Sequence, residues 1–297
     1  ASRDWPIKKH LQPHKNGKDW FWWYEEYGHT FAPGSGTIVA VIDTGVDYTH
    51  EDLTSNMWVN TAEMYGTVGV DDDLNGYIDD IYGVSFIDGS SNPMDDNGHG
   101  THVAGIIAAR NNNLGTVGIA YNARIMPVKA AMASGYLNQS DIARAILYAH
   151  QHGAQVINMS FGGTACSIAV QDALAVAYTR CVLVASAGND GAPNEGFMAI
   201  PNYPAALTYV LGVMSVDENG VESSFTNWDA FAFNGIEYEL YAPGENIMST
   251  LPDNRYGYLS GTSMAAPTVS AIAALLRSYL PDRNTYSTKF IQSQIVN

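Results

Sequence analysis

The chain has 297 residues, 46% of them hydrophobic and 15% charged, which is enough for one large domain or two small ones. Thirty acidic against fourteen basic side chains give a net charge of -16, which excludes sequence-independent nucleic-acid binding and disfavours anionic membrane, because both need a basic surface. No apolar run is long enough to span a membrane, and two cysteines are too few for a disulfide scaffold.

The first residues, Ala1-Ser2-Arg3-Asp4, have neither an initiator Met nor a signal pattern, as expected of a processed or truncated start. Residues 1–35 are irregular and aromatic-rich, and Trp20-Phe21-Trp22-Trp23-Tyr24 is expected to wrap the domain as a packing belt. From Thr37 onward, short apolar runs read as strands buried on both faces: Thr37 to Ile42, Ala123 to Val128, Ala154 to Met159 and Val182 to Ala185. Helices are expected at about 100–110, 140–152, 167–179 and 263–279, each opening near Ser, Thr, Gly or Asp. Strands alternating with helices imply an α/β fold with a mainly parallel central sheet flanked by helices on both faces. In that architecture binding chemistry gathers beyond the C-terminal strand ends. No linker or repeat divides residues 36–297, so one structural domain is expected.

Asp43 closes the first strand and precedes Thr44-Gly45; taken alone, an Asp before Gly is as well explained as a turn former. Further on, Asp71-Asp72-Asp73-Leu74-Asn75-Gly76-Tyr77-Ile78-Asp79-Asp80 places oxygen-bearing side chains at alternate positions around a Gly. Such spacing suits a loop wound around Ca²⁺, with Asp71, Asp73, Asn75, Tyr77 and Asp80 as the expected ligands. A solvated acidic loop is the plain alternative, and Tyr82 where an EF-hand has Glu argues against a helix-loop-helix pair.

Next comes Asn97-Gly98-His99-Gly100-Thr101-His102-Val103-Ala104-Gly105, two histidines three apart at a helix start without the Glu of a zinc-binding HExxH. Near the C-terminus, Ser260-Gly261-Thr262-Ser263-Met264-Ala265-Ala266-Pro267 opens a helix of small residues with a serine. A helix start offers unpaired N–H groups and positive potential to a developing oxyanion.

Together the DTG, HGTHVAG and GTSMAAP motifs, in this chain order, resemble the subtilisin-like serine proteases, and the resemblance runs from about Thr37 to Leu276. It implies a serine endopeptidase with Ser263 as nucleophile, His99 as base and Asp43 orienting the imidazole, and leaves His102 structural. Asn189, in Ser186-Ala187-Gly188-Asn189, would donate its amide to the oxyanion together with the Ser263 N–H. An extended peptide or protein substrate would lie between Ser134-Gly135-Tyr136 and Ser160-Phe161-Gly162, with Ser186-Ala187-Gly188 as the other wall of the P1 pocket. Two small-residue walls suggest a roomy pocket for apolar or aromatic P1 groups, with Phe197-Met198 closing its floor. A second Ca²⁺ site is implied at Asp52, Asn112 and the carbonyls of Arg110, Leu114 and Thr116, although an ordinary polar turn would explain the same residues.

The resemblance also implies an inhibitory prosegment, a monomer, and secretion or a secretory compartment. Two alternatives remain open: a catalytically silent homologue that binds, and a ligase or macrocyclase on the same scaffold. Asn138-Gln139-Ser140 is a glycosylation sequon of a kind common by chance. Cys166 and Cys181 flank the helix expected at 167–179. That helix separates its ends by roughly 20 Å, and a disulfide tolerates about 7 Å, so free thiols are expected.

Overall fold

A computed structural model describes residues 33–191, 201–228 and 238–296. The aromatic belt at 20–24 and Phe197-Met198 therefore lie outside the described residues. In chain order the elements are β1 (Ile38–Asp43), α1 (Thr61–Met64), β2 (Val84–Ser85), α2 (His99–Ala108), β3 (Arg124–Lys129), α3 (Gln139–Gln151), β4 (Val156–Met159), α4 (Ile168–Tyr178), β5 (Val182–Ser186), β6 (Leu211–Val216), β7 (Leu240–Pro243), β8 (Ile247–Leu251), β9 (Arg255–Leu259), α5 (Thr262–Tyr279) and α6 (Thr288–Val296). Seven strands pair in parallel in the order β2-β3-β1-β4-β5-β6-β7, and β8-β9 form a separate antiparallel hairpin.

The central strand shows why the strand runs are apolar without alternation. Val39 and Val41 pack into one core with Val103 and Ile107 of α2 and Met264 and Val269 of α5. Ala40 and Ile42 face the opposite core, built from Ile142 and Ile146 of α3 and Val170 and Leu174 of α4. Burying each Val or Ile contributes about 1.5–3 kcal/mol, so both faces of β1 must be apolar.

The four expected helices begin within one residue of their expected positions, because their start signals are local. Asn138 caps α3 by accepting the Ser140 N–H at 3.1 Å, so the sequon asparagine has a structural task of its own. Ser167 caps α4 in the same way through the Val170 N–H at 3.2 Å. α4 runs unbroken between Cys166 and Cys181, and both thiols are free. Strands β2, β6 and β7, the β8-β9 hairpin and helices α1 and α6 were not anticipated from the sequence.

This winding brings the end of β1, the residues after β4, the end of β5 and the start of α5 to one edge of the sheet. No described helix is long and apolar enough to cross a membrane.

Candidate active site

Asp43, the last residue of β1, is buried, and its Oδ1 accepts the Thr44 N–H at 2.7 Å and meets His99 Nδ1 at 2.7 Å. Its Oδ2 is buried without a hydrogen-bond partner among the described residues. His99 opens α2, and its backbone is set by Asp95 upstream. Asp95 Oδ1 accepts from Thr44 Oγ1, Asn97 N and Gly98 N, and its Oδ2 accepts from Thr101 N and Thr101 Oγ1. One buried carboxylate thus ties the residue after Asp43 to the start of the helix bearing His99. Lys129, at the end of β3, adds a second tie by donating to the Thr44 carbonyl and, at 2.6 Å, to Asp96 Oδ1. Burial pulls the His99 pKa down, but the Asp43 charge, its hydrogen bond and the Asp95 charge outweigh burial and hold it above 6.5. His102 is fully buried with its pKa pushed down to about 4 by burial, and Nε2 lies 3.2 Å from the Gly257 carbonyl, as expected of a structural histidine.

Ser263 is the second residue of α5. Pro267 has no N–H for the carbonyl four residues back, and the carbonyl so released, that of Ser263, accepts Ser160 Oγ at 2.9 Å. In return Ser263 Oγ donates to the Ser160 carbonyl at 3.1 Å, so its described bond runs to Ser160 and not to His99. Hydrogen bonds at such sites often tighten only when substrate is bound. Asn189 Oδ1 is held by the Thr262 N–H at 2.8 Å and Thr262 Oγ1 at 2.9 Å. That grip fixes where the Asn189 Nδ2 hydrogens point. A Cβ built on Gly261 would lie 3.4 Å from Asn189 Nδ2 and 3.7 Å from the Ser263 nitrogen, so both expected oxyanion donors border one small space.

A cleft of about 330 Å³ lies beside the Asp43–His99 pair, lined by these two residues, by Gly135 and Leu137, and by Ser160, Phe161 and Gly162. The two expected edge segments therefore bound one groove. Gly135 sits in a tight turn, donating to the Met132 carbonyl, while the Tyr136 carbonyl accepts the Met132 N–H at 2.9 Å. Ser134 and Tyr136 are exposed and do not line the cleft, whereas Thr44, Asn97, Ala131 and Leu137 do, though sequence reasoning did not name them. Ser186, Ala187 and Gly188 continue from β5 and face Asn202 and Asn227.

Of the residues expected in the acidic loop, Asp71 and Asp73 converge, and Glu63 of α1 joins them with ligand oxygens all within 4.8 Å. The loop spacing gave no sign of Glu63, because it arrives from another element. Its Oε1 accepts the Asp72 and Asp73 N–H groups and its Oε2 the Asp79 N–H. Asp80 does not join the cluster: its carboxylate accepts from Asn60, Asn75 and Tyr148. The Asn75 side chain accepts the Tyr77 N–H at 2.7 Å, and the Tyr77 ring packs edge-on against Phe86 and Tyr148. At the other expected site Asp52 is fully buried, and its pKa is raised by burial. Its Oδ2 accepts the Thr116 N–H at 3.2 Å, while its Oδ1 has no hydrogen-bond partner among the described residues. Its carbonyl accepts the Arg110 N–H at 3.0 Å, and Asn112 Oδ1 holds the Leu114 N–H at 2.9 Å, which shapes the loop beside it. A buried carboxylate oxygen lacking a donor is the atom a cation would satisfy, so these residues fit the expected group.

The sequence matches the model of the Subtilase family over residues 34–297. It is 40% identical over 258 residues to the thermophilic serine proteinase of Bacillus sp. (strain AK1), covering 86% of this chain and 56% of that protein. It is 38% identical over 260 residues to subtilisin-like protease 1 of Plasmodium falciparum (isolate 3D7), covering 83% of this chain and 38% of that protein. The chain thus spans about half or less of the length of these relatives. Among solved structures, a cold adapted subtilisin-like serine proteinase superposes with a TM-score of 0.68 at 30% identity, covering 88% of this chain and 81% of that one. A match over nearly the whole described chain, with the parallel sheet and the Asp43–His99 pair at its edge, makes this chain a member of the subtilase family.

Proposed function

We propose that the chain is a serine endopeptidase acting on extended peptide or protein substrates through an acyl-enzyme on Ser263. The observation that carries this reading is the 2.7 Å bond between buried Asp43 and His99 beside a cleft that continues along Ser160-Phe161-Gly162. In this mechanism Ser263 Oγ attacks the scissile carbonyl carbon while its proton passes to His99 Nε2. Asp43 keeps the imidazole in the required tautomer and stabilises the imidazolium. The carbonyl electron pair becomes an oxyanion facing Asn189 Nδ2 and the Ser263 N–H. His99 then returns the proton to the departing amine, and water repeats the sequence to release the acid.

Calcium belongs to the same proposal as a structural ion. Asp52, with Asn112 and the carbonyls of Arg110, Leu114 and Thr116, would hold one ion; Asp71, Asp73 and Glu63, with Asn75 and Tyr77 beside them, would hold another. Three carboxylates whose ligand oxygens lie within 4.8 Å of one another offer a divalent cation a shared set of hard oxygen donors. An inhibitory prosegment, a monomeric state and a secretory location, which the resemblance implies, belong to the same proposal.

Fluorophosphonate labelling of Ser263 at pH 8 in calcium buffer, with cleavage profiling on a denatured proteome and Ser263→Ala as control, is the test. Labelling with new cleavage sites is expected. Absence of both would favour a silent binding homologue, and transpeptidated masses with a free-amine acceptor would favour a ligase.

A further inference from the structure

We propose that Ser270 and Asn158 are positioning residues for the nucleophile, holding Ser263 in place through the Ser160 hydroxyl and so governing the rate of acylation and not the affinity for substrate. The proposal rests on the endopeptidase reading of the cleft. Asn158 lies in β4 with Val41 of β1 and Val184 of β5 as its register partners, and both valines belong to the core packed against α5. An amide in the middle of that apolar face is fully buried, and a buried amide persists only where partners satisfy it.

The partners form one circuit. Ser270 is fully buried on α5, two helical turns after Ser263, so both serines lie on one face of that helix. Ser270 Oγ donates to Asn158 Oδ1 at 2.8 Å, Asn158 Nδ2 donates to Ser160 Oγ at 2.9 Å, and Ser160 Oγ donates to the Ser263 carbonyl at 2.9 Å. Ser263 Oγ closes the circuit on the Ser160 carbonyl at 3.1 Å. Ser160 lines the cleft, whereas neither Asn158 nor Ser270 is among the lining residues, so these two reach the chemistry only through it.

Each bond in the circuit sets the direction of the next. The Ser270 hydroxyl keeps the amide oxygen of Asn158 on its own side, which turns the NH₂ toward Ser160. A hydroxyl that accepts from that NH₂ points its single proton elsewhere, and here the Ser263 carbonyl, which Pro267 leaves without its helical partner, accepts it. With the Ser270 hydroxyl gone, the amide is free to turn over and present its oxygen to Ser160. The Ser160 proton then points at Asn158, and the Ser263 carbonyl loses its donor. The first turn of α5 is no longer tied to the cleft wall, and displacing a reacting atom by about 1 Å costs about a hundredfold in rate.

The test uses the full chain in calcium buffer, at a temperature where thermal melts show each variant compared to be folded. It measures kcat and KM on one fluorogenic peptide, and the rate constant of fluorophosphonate labelling, which reads attack by Ser263 directly. Ser270→Ala should lower kcat and the labelling rate constant by about tenfold with KM unchanged, and Asn158→Leu, which keeps the volume and removes both amide bonds, by about a hundredfold. Ser270→Thr, which keeps the hydroxyl, should stay close to the unaltered chain. Ser270→Ala removes a single oxygen and decides the outcome if Asn158→Leu does not fold. A lower melting temperature with kcat and labelling unchanged would make the circuit structural only and overturn the proposal. A change confined to KM, or an equal loss in the alanine and threonine variants, would overturn it too. No labelling and no cleavage by the unaltered chain would overturn the endopeptidase reading and this proposal with it.

Discussion

In the cleft, Asp95 answers both carboxylate oxygens with five donors from the protein, and Asp43 shares its Oδ1 between Thr44 N and His99 Nδ1. In the two cation loops, Asp52 keeps a buried Oδ1 with no donor among the described residues, while Glu63, Asp71 and Asp73 crowd their oxygens within 4.8 Å. Asp43 Oδ2 also lacks a donor, yet the imidazole beside its carboxylate can take up positive charge by proton transfer. In the acidic loop His152 Nε2 lies 3.6 Å from Asp73 Oδ2, one imidazole against three carboxylates, so a bound cation would still supply most of the counter-charge. The cleft is therefore built to change charge during a reaction, and the loops to hold a fixed one. Altering the first should cost rate with the fold kept, and altering the second should cost stability with the chemistry kept.

The largest expected effect is that of Ser263→Ala, which should lower turnover by several orders of magnitude with an unchanged melting temperature. What remains would rest on the oxyanion donors and binding, about 10³–10⁴ over the water reaction. Near-normal peptidase activity would break the comparison at its first term. Asn189→Ala should lower kcat by about 10²–10³ with little change in KM, because the lost donor matters chiefly when the oxyanion forms. A change mainly in KM would make Asn189 a wall of the pocket instead.

Chelation reads the other half of the comparison. Each ion bound only to the native state contributes about 2.7 kcal/mol when free Ca²⁺ is 100 times its Kd. Thermal melts with and without chelator should differ by several degrees, with active-site labelling intact in the cold. Asp52→Asn should shrink that difference, since it removes the buried charge that calls for a cation. Equal melting temperatures for the metal-free and calcium-loaded protein would contradict both loops as sites.

Smaller still is the pH effect. His99 must be neutral to accept the Ser263 proton, so kcat/KM should rise as pH passes upward through its pKa, which lies above 6.5. Asp95→Asn removes a charge that raises this pKa and should move the acid limb to lower pH; an unmoved limb would show that Asp95 acts by geometry alone. Last, Cys181 is fully buried, with its thiol pushed up to about 12 by burial, and should react with a disulfide reagent only on opening of the fold. Chelator should speed that reaction and Ser263→Ala should not.

Much of this protein was legible in its sequence because the relevant signals are local. The buried strand runs, the starts of the four main helices and the DTG, HGTHVAG and GTSMAAP motifs each occupy a few consecutive residues, so spacing alone exposes them. The acidic loop was legible for the same reason, since Asp71 and Asp73 sit on one turn of chain. Strands β6 and β7 escaped notice because a short apolar run can belong equally to a helix or a strand until its neighbours are in place.

What only the tertiary structure decided depends on contacts between residues far apart in sequence. The Asp43–His99 bond spans 56 positions, Asn189 meets Thr262 across 73, and Ser160 exchanges hydrogen bonds with Ser263 across 103. Glu63 joins the acidic loop from a separate helix, and Asp80, which the spacing offered as a ligand, turns instead to Asn60, Asn75 and Tyr148. Asn202 packs its amide against both Gly162 and Gly188, from a segment that sequence order places beside neither. Local spacing records which groups a segment can present. Which neighbour fills the room left by a glycine is set only when the chain closes on itself, because packing and desolvation act between surfaces that sequence order does not bring together.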